Sequence, residues 1–160
     1  MVEIIDYSNI YDENIKDLLV ELGNYISSID REGYNRVTNE FREEYYNKTM
    51  DDVKKYEGKI FLAKENNNII GLIIGLINND EVDTYDFKAP KRGRIVEFIV
   101  SKNYRASGIG SKLFNTLEEY FKSVGCKGIL IDVFSYNESA LEFYKKHGYF
   151  NRTEEMMKLL

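Results

Sequence analysis

The stretch from Ile95 to Phe134 restricts the fold more than any other part of this chain. An apolar run, Ile95 to Ser101, leads through Arg105-Ala106-Ser107-Gly108-Ile109-Gly110-Ser111 into a segment whose residues Ile109, Leu113, Leu117, Phe121 and Val124 recur at helical spacing. Gly125 ends that helix, and Gly128 to Phe134 is a second run of the buried-strand type. Strand, helix and strand in this order give two parallel strands joined by a right-handed crossover.

The other elements build around that unit. Met1 to Asp6 reads as a first strand, since it carries acids and lacks the basic and apolar regions of a secretion signal. Asn9 is placed to cap a helix with an apolar face of Ile15, Leu18, Leu19 and Leu22, for which Gly23 is the expected stop. A second helix around Asn39 to Asn47 puts Phe41 and Tyr45 on one face. Lys59 to Lys64 and Ile69 to Ile77 form a hairpin through Glu65-Asn66-Asn67-Asn68. Asn78 to Arg94, with Asp80, Glu81, Asp83 and Asp86, reads as an acidic surface loop. Asn137 caps a short helix that runs to His147 and is closed by Gly148, and Arg152 to Leu160 returns as a last strand. The expectation is an α/β fold: one domain over residues 1–160, with a mixed sheet of six to seven strands flanked by four helices.

Composition removes several function classes. With 27 acids against 22 bases the net charge is -5, which disfavours a general nucleic-acid binder and leaves room for a cationic substrate. No apolar run approaches the roughly 20 residues needed to cross a bilayer. A single cysteine, Cys126, cannot form an intrachain disulfide, so a reduced, cytoplasmic setting fits. Cys126 at a strand start reads as a small buried hydrophobe, and His147 as a helix-terminal charge, rather than as nucleophile and base. No metal-ligand spacing is present.

The glycine-bearing loop carries the chemistry. Two glycines before a helix allow close backbone approach, the first turn offers unpaired N–H groups, and the helix dipole favours an anion. Arg105 adds a positive charge beside them. A Walker A loop is excluded, because no glycine stands five positions before Gly110, and a dinucleotide fingerprint is excluded by Leu113 where a small residue is needed.

Val100, Tyr104-Arg105, Gly108-Ile109-Gly110, Asn137, Ala140, Phe143-Tyr144 and Gly148-Tyr149-Phe150 together resemble the GNAT N-acetyltransferase superfamily. The resemblance is dense from Ile95 to Phe150, whereas the first 90 residues agree only in element order. Lys102, where proline is frequent, and Ala106-Ser107, where Gly-Lys is common, depart from the family pattern without removing a backbone N–H. The resemblance implies acetyl-CoA as co-substrate, with its diphosphate on Arg105, Ala106, Ser107, Gly108, Ile109, Gly110 and Ser111. It further implies that the pantetheine arm lies between the two parallel strands, against Phe98, Ile99 and Val100, with Asn137 and Tyr144 on the coenzyme side. Val100 then lends its backbone N–H to the thioester carbonyl, and the Tyr144 phenol protonates the departing thiolate.

An amine acceptor arrives protonated and needs a base. Glu97 is the candidate, since it interrupts an apolar strand near the thioester; strand alternation sets it opposite Val100 unless a bulge intervenes. The expected reaction is acetyl transfer from acetyl-CoA to a primary amine, with a small cation slightly favoured over a protein amino group. A non-catalytic acyl-CoA-binding module of the same fold is the alternative, and a homodimer is admitted by either reading.

Overall fold

The computed structural model describes residues 1–78 and 82–160. Its strands are β1 (Val2–Asp6), β2 (Lys59–Glu65), β3 (Asn68–Asn78), β4 (Arg92–Val100) and β5 (Ile129–Ile131), and its helices α1 (Asp12–Ile29), α2 (Phe41–Lys55), α3 (Ile109–Ser123) and α4 (Glu138–Lys146). The strands lie in chain order in one mixed sheet, antiparallel except for the parallel pair β4–β5.

Period-two alternation divides the sheet residues between two cores. Phe61, Ala63, Ile73 and Ile77 face α3, where Leu113, Phe114, Leu117 and Phe121 are buried. Ile60, Leu62, Leu72, Ile74 and Leu76 face Ile15, Leu18 and Leu19 of α1 and Tyr46 of α2. Gly75 and Gly93 let α3 come close: a Cβ at either would lie 2.5 Å from the Phe121 ring. The interlocked aliphatic layers on both faces make the sheet the rigid frame of the molecule.

Several expectations are corrected. Five strands form among the described residues, not six to seven, because Arg152 to Leu160 carries no regular structure and is exposed throughout. A strand needs a neighbouring ladder, and β5 is only three residues long. β5 is also shorter than Gly128 to Phe134, while β4 starts at Arg92, inside the segment read as a loop. Asn9 opens a single 3-10 turn instead of capping α1, whose preceding residue is Tyr11. Gly23 does not stop α1, which continues to Ile29. Its missing side chain serves packing, since a Cβ there would lie 2.7 Å from the Phe41 ring and 3.1 Å from Val37. Asp80 and Glu81 of the acidic loop lie outside the described residues.

Candidate active site

The turn from β4 into α3 is shaped by two left-handed residues, Ala106 (φ 59°) and Gly108 (φ 80°). Such a turn directs successive N–H groups to one side, the arrangement that forms an anion nest. The first helical bond of α3 is Lys112 N–H to Gly108 O at 3.2 Å, so the N–H groups of Ile109, Gly110 and Ser111 lie in the unpaired first turn. No acidic residue stands in that turn to occupy them. The two glycines act differently. Gly108 supplies the backbone angle, whereas Gly110 supplies clearance, because a Cβ there would press against Phe98 at 3.1 Å and Phe143 at 3.4 Å.

Arg105 is turned away from this nest. Its Nε donates to Val100 O at 2.9 Å, its Nη2 lies 3.7 Å from Glu21, and its guanidinium sits 5.5 Å from the Tyr25 ring centre. Glu21 also accepts from Ser101 Oγ at 3.0 Å and from the Lys102 N–H at 2.9 Å. Tyr25 donates to Asn137 Oδ1 at 3.1 Å, and that same oxygen caps α4 at the Ala140 N–H, 3.4 Å away. Helix α1 therefore braces both loops at the open end of the β4–β5 pair. Glu21 and Tyr25 carry no motif in the sequence, where each is one more polar residue on an amphipathic helix.

The edge of β4 is open beyond its first residues. The Ser101 N–H bonds Ile70 O at 2.9 Å and Ile99 pairs with Leu72, so residues 97, 99 and 101 direct their backbone groups to β3. Phe98 and Val100 direct theirs to the other side. There β5 pairs only with Gly93 to Ile95, which leaves the later residues of that edge outside the ladder. Of the strand residues singled out from the sequence, Ile99 has its backbone committed to β3 and its side chain in the α1/α2 core.

Alternation sets Glu97 opposite Val100, and a bulge separates it from Ile95. Opposite Ile74 and Gly75 stand Glu97 and Ile95, so Val96 is the extra residue. Ile95 packs on the α3 side; without the extra residue, Glu97 two positions later would share that face. With it, Glu97 enters the α1/α2 side, only 7% exposed, and accepts a 2.5 Å hydrogen bond from Tyr45 Oη. Burial pushes its carboxyl up to about 7, against the lowering effects of the Tyr45 hydroxyl and of Lys48. Tyr45 in turn stacks on Phe41 with 4.6 Å between ring centres.

Glu97, Tyr45 and Tyr144 line one cleft of about 230 Å³ together with residues of α1, the α1–α2 loop and β5. The Tyr144 ring stacks on Phe114, and burial pushes its phenol up to about 12, so it holds its proton throughout the neutral range. His147 closes α4, with Nδ1 2.9 Å from Phe143 O and its ring packed 4.2 Å from that of Phe143, outside the cleft. Cys126 is partly buried against the α3 core. Tyr45 is the member that sequence reasoning missed: its place beside Phe41 was legible, but nothing ties it to a carboxyl 52 residues away.

The acetyltransferase (GNAT) family model matches residues 25–149. The chain belongs to this family. Among GNAT relatives, an N-alpha-acetyltransferase of Sulfurisphaera tokodaii is 27% identical over 62% of this chain and 61% of its own length. A glucosamine 6-phosphate N-acetyltransferase of Trypanosoma brucei brucei is 36% identical over 42% of this chain and 43% of its own. The chain thus spans less than two thirds of the curated relatives it matches. A Pyrococcus furiosus structure, solved as a candidate acetyl transferase, is 30% identical with a TM-score of 0.75 over all of both chains. An aminoglycoside N-acetyltransferase in complex with CoA shares the fold, at 14% identity and a TM-score of 0.75, over 100% of this chain and 94% of that one. Among the described residues, no helix is long and apolar enough to cross a membrane.

Proposed function

We propose that residues 1–160 act as one N-acetyltransferase unit that moves the acetyl group of acetyl-CoA to a small primary amine. In this reading the N–H groups from Arg105 to Ser111 hold the coenzyme diphosphate, with Arg105 contributing its backbone while its side chain fixes the Val100 peptide. The pantetheine arm runs along the open edge of β4 past Phe98 and Val100, with Ile99 behind them in the core and Asn137 on the other rim. The Val100 N–H polarises the thioester carbonyl. Glu97, directly or through a water, takes a proton from the amine; the nitrogen attacks the carbonyl carbon and a tetrahedral oxyanion forms. Its collapse breaks the C–S bond, Tyr144 gives its proton to the coenzyme thiolate, and the second proton that the nitrogen loses on becoming an amide restores the phenol, directly or through water.

One observation carries this reading: a buried carboxyl held near neutrality and a protonated phenol line the same cleft, beside a strand edge with outward backbone groups. A base is most effective when its pKa is near the working pH, and an acid must keep its proton until the leaving group departs. The named relatives, an N-alpha-acetyltransferase and a glucosamine 6-phosphate N-acetyltransferase, support a nitrogen acceptor. The test is thiol release from acetyl-CoA across a panel of amines. Tyr144→Phe is expected to lower turnover by about tenfold to a hundredfold with coenzyme affinity unchanged. Coenzyme binding with no thiol release from any amine would instead favour the non-catalytic acyl-CoA-binding module.

A further inference from the structure

The charges of the cleft are not equivalent. Glu97 is bonded to Tyr45, Asp132 is paired with Arg94 at 2.6 Å, and Lys48 is paired with Asp52 at 2.7 Å in the adjoining hollow. Arg36 lines the cleft as well, and it makes no ion pair or hydrogen bond among the described residues. The loop that presents it is held on both sides. Its neighbour Asn35 is gripped by Asp30, which accepts from the Asn35 N–H at 2.6 Å and from Nδ2 at 2.9 Å. On the other side, Val37 packs against Gly23 of α1. Arg31 sits 4.4 Å from the Tyr136 ring centre, and Tyr136 Oη donates to Glu32 at 3.0 Å, tying the loop to the rim beyond β5. Ser27, whose hydroxyl is buried without a partner, lines the same cleft.

From this anchored, unpaired guanidinium we infer that the acceptor carries an anionic group, carboxylate or phosphate, in addition to its amine, and that Arg36 binds that group. The inference rests on the acetyltransferase reading and deepens it. A guanidinium donates two parallel bonds to either anion. The preference for a simple cation rests on acids that are already neutralised: Glu13, Asp17 and Glu43 by Lys16 and Arg42, and Asp83 by Lys88. A substrate with an amine for Glu97 and an anion for Arg36 uses two groups that line the same cleft.

Matched probes test this: lysine against cadaverine, which lacks the carboxylate, and phosphoethanolamine against ethanolamine, which lacks the phosphate. Each is titrated calorimetrically into the full chain saturated with coenzyme A, so that binding is read without turnover. The anionic member of at least one pair is expected to bind on the order of tenfold tighter. The pair that shows the preference distinguishes carboxylate from phosphate. Arg36→Gln should reduce that preference to about twofold or less, and Arg36→Lys should keep part of it. Arg36 is exposed and unpaired, so neither variant threatens folding. Equal or weaker binding of the anionic members, or a preference that survives Arg36→Gln, overturns the inference while leaving the acetyltransferase reading intact. No heat with coenzyme A itself overturns both.

Discussion

The two walls of the cleft are made of different material. On the coenzyme side, from β4 through α4, the groups that hold the coenzyme are mainly backbone: the left-handed turn at Ala106 and Gly108, the first turn of α3, and the outward peptides of Phe98 and Val100. On the acceptor side, from α1 through α2, they are side chains: Tyr45 on Glu97, Glu21 on the β4–α3 turn, and Arg36 on its anchored loop. A backbone site tolerates many side chains and demands particular backbone angles. A side-chain site is the reverse, so substitutions should separate the two walls.

The largest separation is expected at Glu97. Glu97→Gln should lower kcat by about a hundredfold or more while coenzyme affinity stays within about twofold. It should also stabilise the protein at alkaline pH. The folded-state pKa of about 7 lies above the unfolded value of 4.5. The carboxyl therefore favours the native state most when protonated, and stability falls as pH rises from 4.5 through about 7. Glutamine removes that loss, with an expected gain on the order of 3 kcal/mol at pH 8 in denaturant titrations.

Two glycine substitutions sharpen the contrast. Gly23→Ala drives a methyl into Phe41 and Val37, which should cost about 1–2 kcal/mol and raise KM for the acceptor with no change for the coenzyme. Gly108→Ala meets open space but keeps φ at 80°, which should cost about 1 kcal/mol and weaken the coenzyme instead. If both variants disturbed the same substrate equally, the division between walls would be lost. The smallest effect is expected from Tyr45→Phe. It removes the hydrogen bond that lowers the Glu97 pKa, so the acidic limb of the rate profile should move to higher pH by less than about one unit.

The same contrast explains what was legible in the sequence. Backbone demands leave marks in one dimension: Gly108 before a helical stripe and Asn137 before a short one announced the nest and the α4 cap. Clearance and turning look alike, which is why Gly23 read as a stop when it makes room for Phe41. The start of β4 was hidden because Arg92, Gly93 and Arg94 lack the apolar marks of a strand, though Arg92 is buried and Gly93 lies under Phe121. The bulge at Val96 leaves no signature, yet it is what separates the face of Glu97 from that of Ile95. The side-chain partners of Glu97 and Arg105, Tyr45 and Glu21, come from helices more than fifty residues away in the chain, a distance that no local pattern spans.

The central claim is that Glu97, buried beside the open edge of β4, accepts the proton of the amine. It is tested most directly by the pH dependence of kcat/KM for acetyl transfer in the wild type and in Glu97→Gln. An ionisation near pH 7 should shape the acidic limb of the wild type and be missing from the variant's residual rate. An unchanged acidic limb in Glu97→Gln would contradict the claim and assign the proton to another group.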